Sequence, residues 1–168
     1  MKEEIQDIVD DNDNVIDKKT RAEVFEKNLQ TRGTMIMVSN SKGDILVHKR
    51  TMNKEISPGL YSLFLGGGAI SGEGYEECAR REIEEEVGIR AKPEFMFKFK
   101  AMIGKLPAFL GVFKVVYDGK IKINKEEIEE AFFIKEVKLR DFMKSHKFSS
   151  DSIMGYKLYL ETIMREEK

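Results

Sequence analysis

The sequence predicts an α/β fold, a mixed β-sheet covered by helices, in one domain over residues 1–168. Strand-like runs separated by turn residues recur in both halves of the chain. One long helical pattern, Tyr75 to Val87, lies between them, and two more helical stretches come last; strands around a central helix with helices late in the chain suit such an architecture. At 168 residues a single core can bury roughly 70% of the surface the unfolded chain exposes, so folding needs no disulfide or metal staple.

Taken in order, Ile5 to Val9 and Val15-Ile16 flank the turn-forming Asp11-Asn12-Asp13-Asn14 and predict a hairpin. Thr20-Arg21-Ala22-Glu23 has capping-box spacing and predicts a short helix to about Leu29, so residues 1–30 form an N-terminal hairpin and short helix. Thr34 to Val38 and Ile45 to Val47 are strand-like, joined by a turn at Asn40 to Gly43. Thr51 to Gly59 is expected to be a loop, because Pro58-Gly59 stops regular structure. Tyr61 to Leu65 reads as a strand running into Gly66-Gly67-Gly68, and the helix Tyr75 to Val87 ends at Gly88, the residue type that best tolerates a left-handed cap. Phe95, Phe97 and Phe99 alternate with Met96, Lys98 and Lys100, the period of a half-buried strand, and are expected in the core rather than as a base-stacking platform. Ala108 to Tyr117 and Ala131 to Val137 are further strands, and residues 138–168 carry the C-terminal helices, Leu139 to Lys144 and about Asp151 to Met164.

The 29 basic and 30 acidic residues leave a net charge of −1, against a polybasic nucleic-acid or membrane binder. The longest uncharged run, Ile56 to Gly72, contains Pro58 and several glycines and is too short and broken to span a bilayer. Met1-Lys2-Glu3-Glu4 lacks the basic-then-apolar order of a signal peptide. The single cysteine, Cys78, rules out an intrachain disulfide. The expectation is a soluble protein of a reducing compartment, most simply cytoplasmic.

The informative stretch is residues 67–89, GGAISGEGYEECARREIEEEVGI. On a helix, Glu82, Glu85 and Glu86 fall within an arc of roughly 100°, beside the stripe of Ile83 and Val87 that would anchor the helix to the sheet. Glu84 points away. Three like charges on one stripe repel unless a cation joins them, and clustered hard oxygens suit Mg²⁺ or Mn²⁺ completed by substrate phosphates and water. Composition alone makes a solvated Glu-rich surface helix the default reading. The spacing overturns it.

The segment resembles the Nudix hydrolase signature, G-x5-E-x7-R-E-U-x-E-E-x-G-U with U aliphatic, met by Gly67, Glu73, Arg81, Glu82, Ile83, Glu85, Glu86, Gly88 and Ile89. Its seven fixed identities would arise by chance at a frequency on the order of 10⁻⁵. Outside this box, residues 67–89, the segments Ile8-Val9-Asp10, Asn14-Val15-Ile16, Ile45 to Arg50, Pro58-Gly59 and Phe148 to Ser152 are more loosely similar to the Nudix subgroup related to isopentenyl-diphosphate isomerase. The resemblance implies a MutT-like α/β/α sandwich with a mixed β-sheet and a strand–loop–helix catalytic motif. It also implies hydrolysis of a nucleoside diphosphate linked to another moiety, with Mg²⁺ or Mn²⁺ as cofactor and a small-molecule nucleoside diphosphate derivative, not nucleic acid or membrane, as partner. A homodimer is one option for assembly. By the same resemblance Glu82, Glu85 and Glu86 are metal ligands, with the Gly66 carbonyl as a further candidate. Arg81 orients the glutamates together with Glu73. A downstream acid often completes such sites; Glu127 aligns best, with Glu126 beside it, the alternative being a solvated loop acid.

Gly74 stands where a Ser or Thr cap is customary, and Leu65 where a proline is common. Isomerases of this fold need a cysteine at the Gly66 position and a histidine-containing metal site that two histidines, His48 and His146, do not reproduce. A non-catalytic nucleotide-binding module would be free to lose Glu85 or Glu86, and both are present. Cys78 is expected as a small buried residue, and the two histidines in structural or solvated roles. Arg32, Lys49 and Arg50 are candidate phosphate contacts.

Overall fold

The structure, a computed structural model, describes residues 3–168. Met1 and Lys2, which open the segment read as unlike a signal peptide, lie outside the described residues. Among the described residues, no helix is long and apolar enough to cross a membrane.

The chain opens with the expected hairpin, β1 (Ile5–Val9) and β2 (Val15–Thr20), paired antiparallel. Thr20 then caps α1 (Arg21–Lys27) through a complete capping box with Glu23, and Asn28 ends the helix in the left-handed conformation. The main sheet takes β3 (Thr31–Ser39), β4 (Ile45–Arg50), β5 (Tyr61–Ser62), β6 (Glu94–Ile103), β7 (Leu106–Val116) and β8 (Ile128–Ile134), with α2 (Tyr75–Val87) between β5 and β6. Two helices, α3 (Glu136–Ser145) and α4 (Ser150–Glu166), close the chain. Strand order is β5-β4-β3-β7-β6, with β8 on β4; β3 and β7 are parallel and the other pairs antiparallel, so the sheet is mixed.

Strand periodicity places a core on each face. Met35, Met37 and Val47 pack under α3 and α4 with Leu139, Tyr156 and Tyr159, while Ile36, Val38 and Leu46 pack under α2 with Ala79, Ile83 and Val87. This is the α/β/α sandwich. A third cluster of Ile8, Val24 and Leu106 seats the hairpin and α1.

One end of the sheet is split. β4 meets β3 only at Ser39 and Ile45 and then diverges. The chain after β5 fills the gap: Ile36 N–H donates to Leu65 O at 2.7 Å and Thr34 N–H to Gly67 O at 2.9 Å. The glycine loop is thus a third neighbour of β3, held at the mouth of the wedge.

Three sequence expectations need correction. The strand expected over Tyr61 to Leu65 is regular only at Tyr61–Ser62, because Ser62 Oγ bonds both the N–H and the carbonyl of Phe64 and turns the chain. The strand placed at Ala131 to Val137 begins at Ile128 and ends at Ile134; the C-terminal helices start at Glu136, and Val137 is a helical residue 84% exposed. A bulge between Phe95 and Phe97 breaks the phenylalanine alternation. Phe95 is 54% exposed, with its edge against Phe113 on the α2 side, whereas Phe97 and Phe99 pack toward α3 and α4.

Candidate active site

Helix α2 presents the carboxylates. Ala79, Ile83 and Val87 are fully buried against the sheet and fix its rotation, and Gly88 closes it at φ 71° with its N–H on Glu84 O. That rotation buries Glu82 and Glu86, one turn apart, beside the glycine loop. Glu85 stands at the rim with 54% of its side chain exposed, and Glu84 faces outward to Arg90 at 2.6 Å.

The glycine loop and the helix are fitted to one another. Gly66 N–H donates to Glu86 Oε2 at 2.9 Å; the structure ties the N–H of Gly66, rather than its carbonyl, to a carboxylate. Gly66 has φ 131°, and a Cβ there would overlap the Thr34 carbonyl oxygen, so only glycine fits. A Cβ on Gly67 would lie 2.8 Å from Glu82 Oε1. Arg81 ties the parts together. Its Nε and Nη2 form a fork on Glu73 at 2.8 and 2.9 Å, Nη1 reaches Glu82 at 2.7 Å and Glu85 at 3.3 Å, and Nη2 also donates to Gly68 O at 3.0 Å. The Glu73 fork raises the guanidinium pKa well above its ordinary value. Asp7 holds the far side of the loop through Ser71 Oγ and Gly72 N–H.

Burial pushes Glu82 up to about 7 against the pull of Arg81, and burial together with the Glu82 charge pushes Glu86 up to about 8. Glu127, from the turn before β8, is a further charge raising both, which places it on the same cleft as the helix carboxylates. Its own carboxylate pairs with Lys54 Nζ at 2.7 Å. The cleft encloses about 290 Å³, and Glu82, Glu85 and Glu127 line it together with Arg32, Arg50 and Lys54.

Of the candidate phosphate contacts, Arg32 and Arg50 line this cleft, while Lys49 turns away to Glu129 at 2.9 Å. Lys54 was missed from sequence: it lies in a patternless loop and meets Glu127 from a distant part of the chain. Its only signal was a basic residue one short step beyond Arg50. Cys78 is the small buried residue expected, with Sγ 3.4 Å from Thr34 Oγ1, and burial pushes its thiol up to about 12. His48 is buried and pushed down to about 3, hence neutral, and His146 stacks on Phe142 at 3.9 Å. None of Phe95, Phe97 and Phe99 lines the cleft.

Among the described residues, no three carboxylates yet converge as a ready set of metal ligands. Arg81 holds Glu82 and Glu85, and Lys54 holds Glu127. The donor set nevertheless fits a hard divalent cation. It consists of carboxylate oxygens at the edge of a cleft, with Glu82 and Glu86 buried and held close to a glycine loop where a Cβ on Gly67 would crowd Glu82.

Comparison with known proteins gives the family and the fold. The NUDIX domain family model matches residues 29–153. A Nudix hydrolase of Pseudomonas aeruginosa is 36% identical over 91% of this chain and 91% of its own length. The Nudix hydrolase YfcD of Escherichia coli is 28% identical over 96% and 89%. Among solved structures, DR0079 of Deinococcus radiodurans superimposes with a TM-score of 0.75 at 23% identity, over 88% of this chain and 94% of that one. A MutT protein of Methanosarcina mazei gives 0.67 at 20% identity, over 83% and 96%. None of these names points to the isomerase-related subgroup that the outer segments suggested.

Proposed function

This chain belongs to the Nudix family and is a hydrolase of that family, and from that premise we propose that it uses Mg²⁺ or Mn²⁺ to cleave a phosphoanhydride bond in a nucleoside diphosphate linked to another moiety. The observation that carries this reading is the burial of Glu82 and Glu86 against the glycine loop, with Glu85 and Glu127 at the rim of a cleft that also presents Arg32, Arg50 and Lys54.

In this reading Glu82, Glu85 and Glu86 would hold the cation, with the Gly66 carbonyl as a further candidate ligand, and Arg81 would keep the carboxylates oriented together with Glu73. The bound cation supplies positive charge that polarises phosphoryl oxygens and lowers the pKa of water. The chain's own groups do the rest. Arg32, Arg50 and Lys54 bind and orient the phosphates. A rim carboxylate, Glu85 or Glu127, would take the water proton on the oxygen not engaged by the cation. Water adds to one phosphorus, the bridging P–O bond breaks, and two phosphorylated fragments leave.

Isomerisation is disfavoured because position 66, where the isomerases carry cysteine, has no space for any side chain in this backbone.

A screen of nucleotide sugars, dinucleotides, coenzyme A, dinucleoside polyphosphates and nucleoside triphosphates with each ion, read by released phosphorylated products, tests the proposal. Reaction in ¹⁸O-water should label one of the two fragments. Allylic isomerisation of isopentenyl diphosphate without cleavage of any phosphoanhydride would overturn it.

A further inference from the structure

The ion pair between Lys54 and Glu127 occupies the very carboxylate that the cleft would offer to a cation. Its two ends differ in freedom. Glu127 sits on a backbone fixed to α2: Asn124 N–H donates to Glu86 O at 2.8 Å, and Glu127 N–H closes the turn on Asn124 O at 3.0 Å. The Glu127 side chain extends from that tethered backbone to Lys54 Nζ at 2.7 Å. Lys54 belongs to the Thr51–Gly59 loop, which arches between the walls of the cleft. Thr51 bonds Glu126 O and Glu127 O on one wall, and Glu55, next to Lys54, pairs with Arg21 Nη2 at 2.7 Å on the other. Adjacent residues of one loop therefore grip opposite sides of the cleft. The Lys54–Glu127 pair is three-quarters buried on the lysine side and nearly so on the glutamate side, so solvent screens it only in part.

We propose that Lys54 is an exchangeable clasp on Glu127. Its ammonium holds the Glu127 carboxylate in the free protein and passes to the substrate phosphates as the cation enters, leaving Glu127 to turn to the cation. The inference rests on the metal-dependent hydrolase reading above. Both partners gain by the exchange: Glu127 trades a single positive charge for a double one, and Lys54 trades one carboxylate for a phosphate chain of higher charge. Until phosphate arrives, Lys54 competes with the cation for Glu127. Cation and substrate thereby favour one another through protein groups, as well as by direct contact.

The competition can be read without turnover, by titrating Mn²⁺ alone and following the free-ion electron paramagnetic resonance signal. Lys54→Met should bind Mn²⁺ about fivefold more tightly than the wild type, and Lys54→Gln should do the same. On a Glu127→Gln background, Lys54→Met should tighten Mn²⁺ binding by clearly less than about fivefold, because only the longer-range charge of Lys54 on the helix carboxylates then remains; an undiminished effect there would overturn the clasp. With the substrate found by the screen, Lys54→Met should raise KM by about tenfold and change kcat less. Melting curves confirm that each variant is folded. If the wild type binds Mn²⁺ and both Lys54 variants bind it equally or more weakly, the clasp is wrong while the hydrolase reading stands. Failure of the wild type to bind Mn²⁺ at all would instead overturn the metal reading and the clasp with it.

Discussion

Glu86 has a fully buried carboxylate that accepts one backbone N–H and faces a second acid, and its behaviour with pH follows from that setting. In the metal-free protein its pKa is about 8, and that of Glu82 about 7, against an ordinary value of 4.5 for the unfolded chain. Between these limits the folded state holds protons that the unfolded state has released, so stability must fall as pH rises. The metal-free melting temperature should therefore decline from about pH 5 to pH 8. Millimolar Mn²⁺ should lift it most at the alkaline end, where the carboxylates are charged, and Glu86→Gln should flatten the slope. A metal-free profile that rises over that range would contradict the assigned burial. Catalysis gives the sharper contrast. Glu85→Gln and Glu86→Gln should each lower kcat at least 100-fold, about 2.7 kcal/mol of barrier, while Glu84→Gln, whose side chain points to Arg90, should stay within about threefold. Glu127→Gln should fall between them. Equal losses at Glu84 and Glu86 under saturating metal would mean that the helix phase is misassigned. The stripe itself was legible because helix geometry fixes it from three positions. The unequal exposure of its members was not, since Glu82 and Glu86 are covered by a loop that sequence spacing does not place.

Helix α2 shows why some elements are readable to the residue. Its start, its end and its buried stripe are all local properties, and the span Tyr75 to Val87 was expected from them and found. Strands β5 and β8 were displaced for the opposite reason. Their limits depend on partners far along the chain: Ile128 becomes a strand residue by pairing with Arg50, and Leu65 leaves β5 to bond Ile36. The two ends of α2 make opposite predictions. Gly88 occupies the left-handed region at φ 71°, so Gly88→Ala should cost about 1 kcal/mol. Gly74 is extended at φ −80°, ψ 169°, and has no side chain to cap the first turn; its N–H donates to Glu77 at 2.9 Å and its carbonyl accepts from Cys78 N–H at 3.0 Å. A Cβ there meets nothing closer than 3.6 Å, so Gly74→Ser should add a few tenths of a kcal/mol. Chemical denaturation of both variants would measure these differences, and stabilisation by Gly88→Ala would refute the cap.

At the scale of the molecule, one side chain of the N-terminal hairpin joins three elements of the sandwich, beside the apolar seat of Ile8 and the Asp7 contacts to the glycine loop. The hairpin and the short capped helix were legible, but nothing in residues 1–30 showed where they dock, because every docking partner is distant in sequence. Asp13, in the β1–β2 turn at φ 64°, is that joint. It accepts Arg32 Nε at 2.6 Å, Tyr75 Oη at 2.9 Å and Lys98 Nζ at 2.5 Å, linking the hairpin to β3, α2 and β6 together. Burial alone would raise the Asp13 carboxyl, yet those three donors hold it below its ordinary value. Its stabilising effect is thus present at neutral pH and disappears in acid, as pH drops through the lowered pKa. Removing the carboxylate leaves Arg32 and Lys98 without their anion, and breaking one side of such a buried pair costs about 3 kcal/mol. For a chain of this length that corresponds to a melting temperature lower by roughly 6–12 °C. Asp13→Asn keeps the turn conformation and a hydrogen-bonding oxygen, so its loss should be smaller than that of Asp13→Ala. Because Arg32 also lines the cleft, Asp13→Ala should raise KM as the guanidinium loses its support, whereas a purely structural joint would leave KM unchanged in the folded fraction. A melting temperature for Asp13→Ala within about 2 °C of wild type, less than 1 kcal/mol, would show that the hairpin is held by its apolar seat at Ile8, Val24 and Leu106 instead.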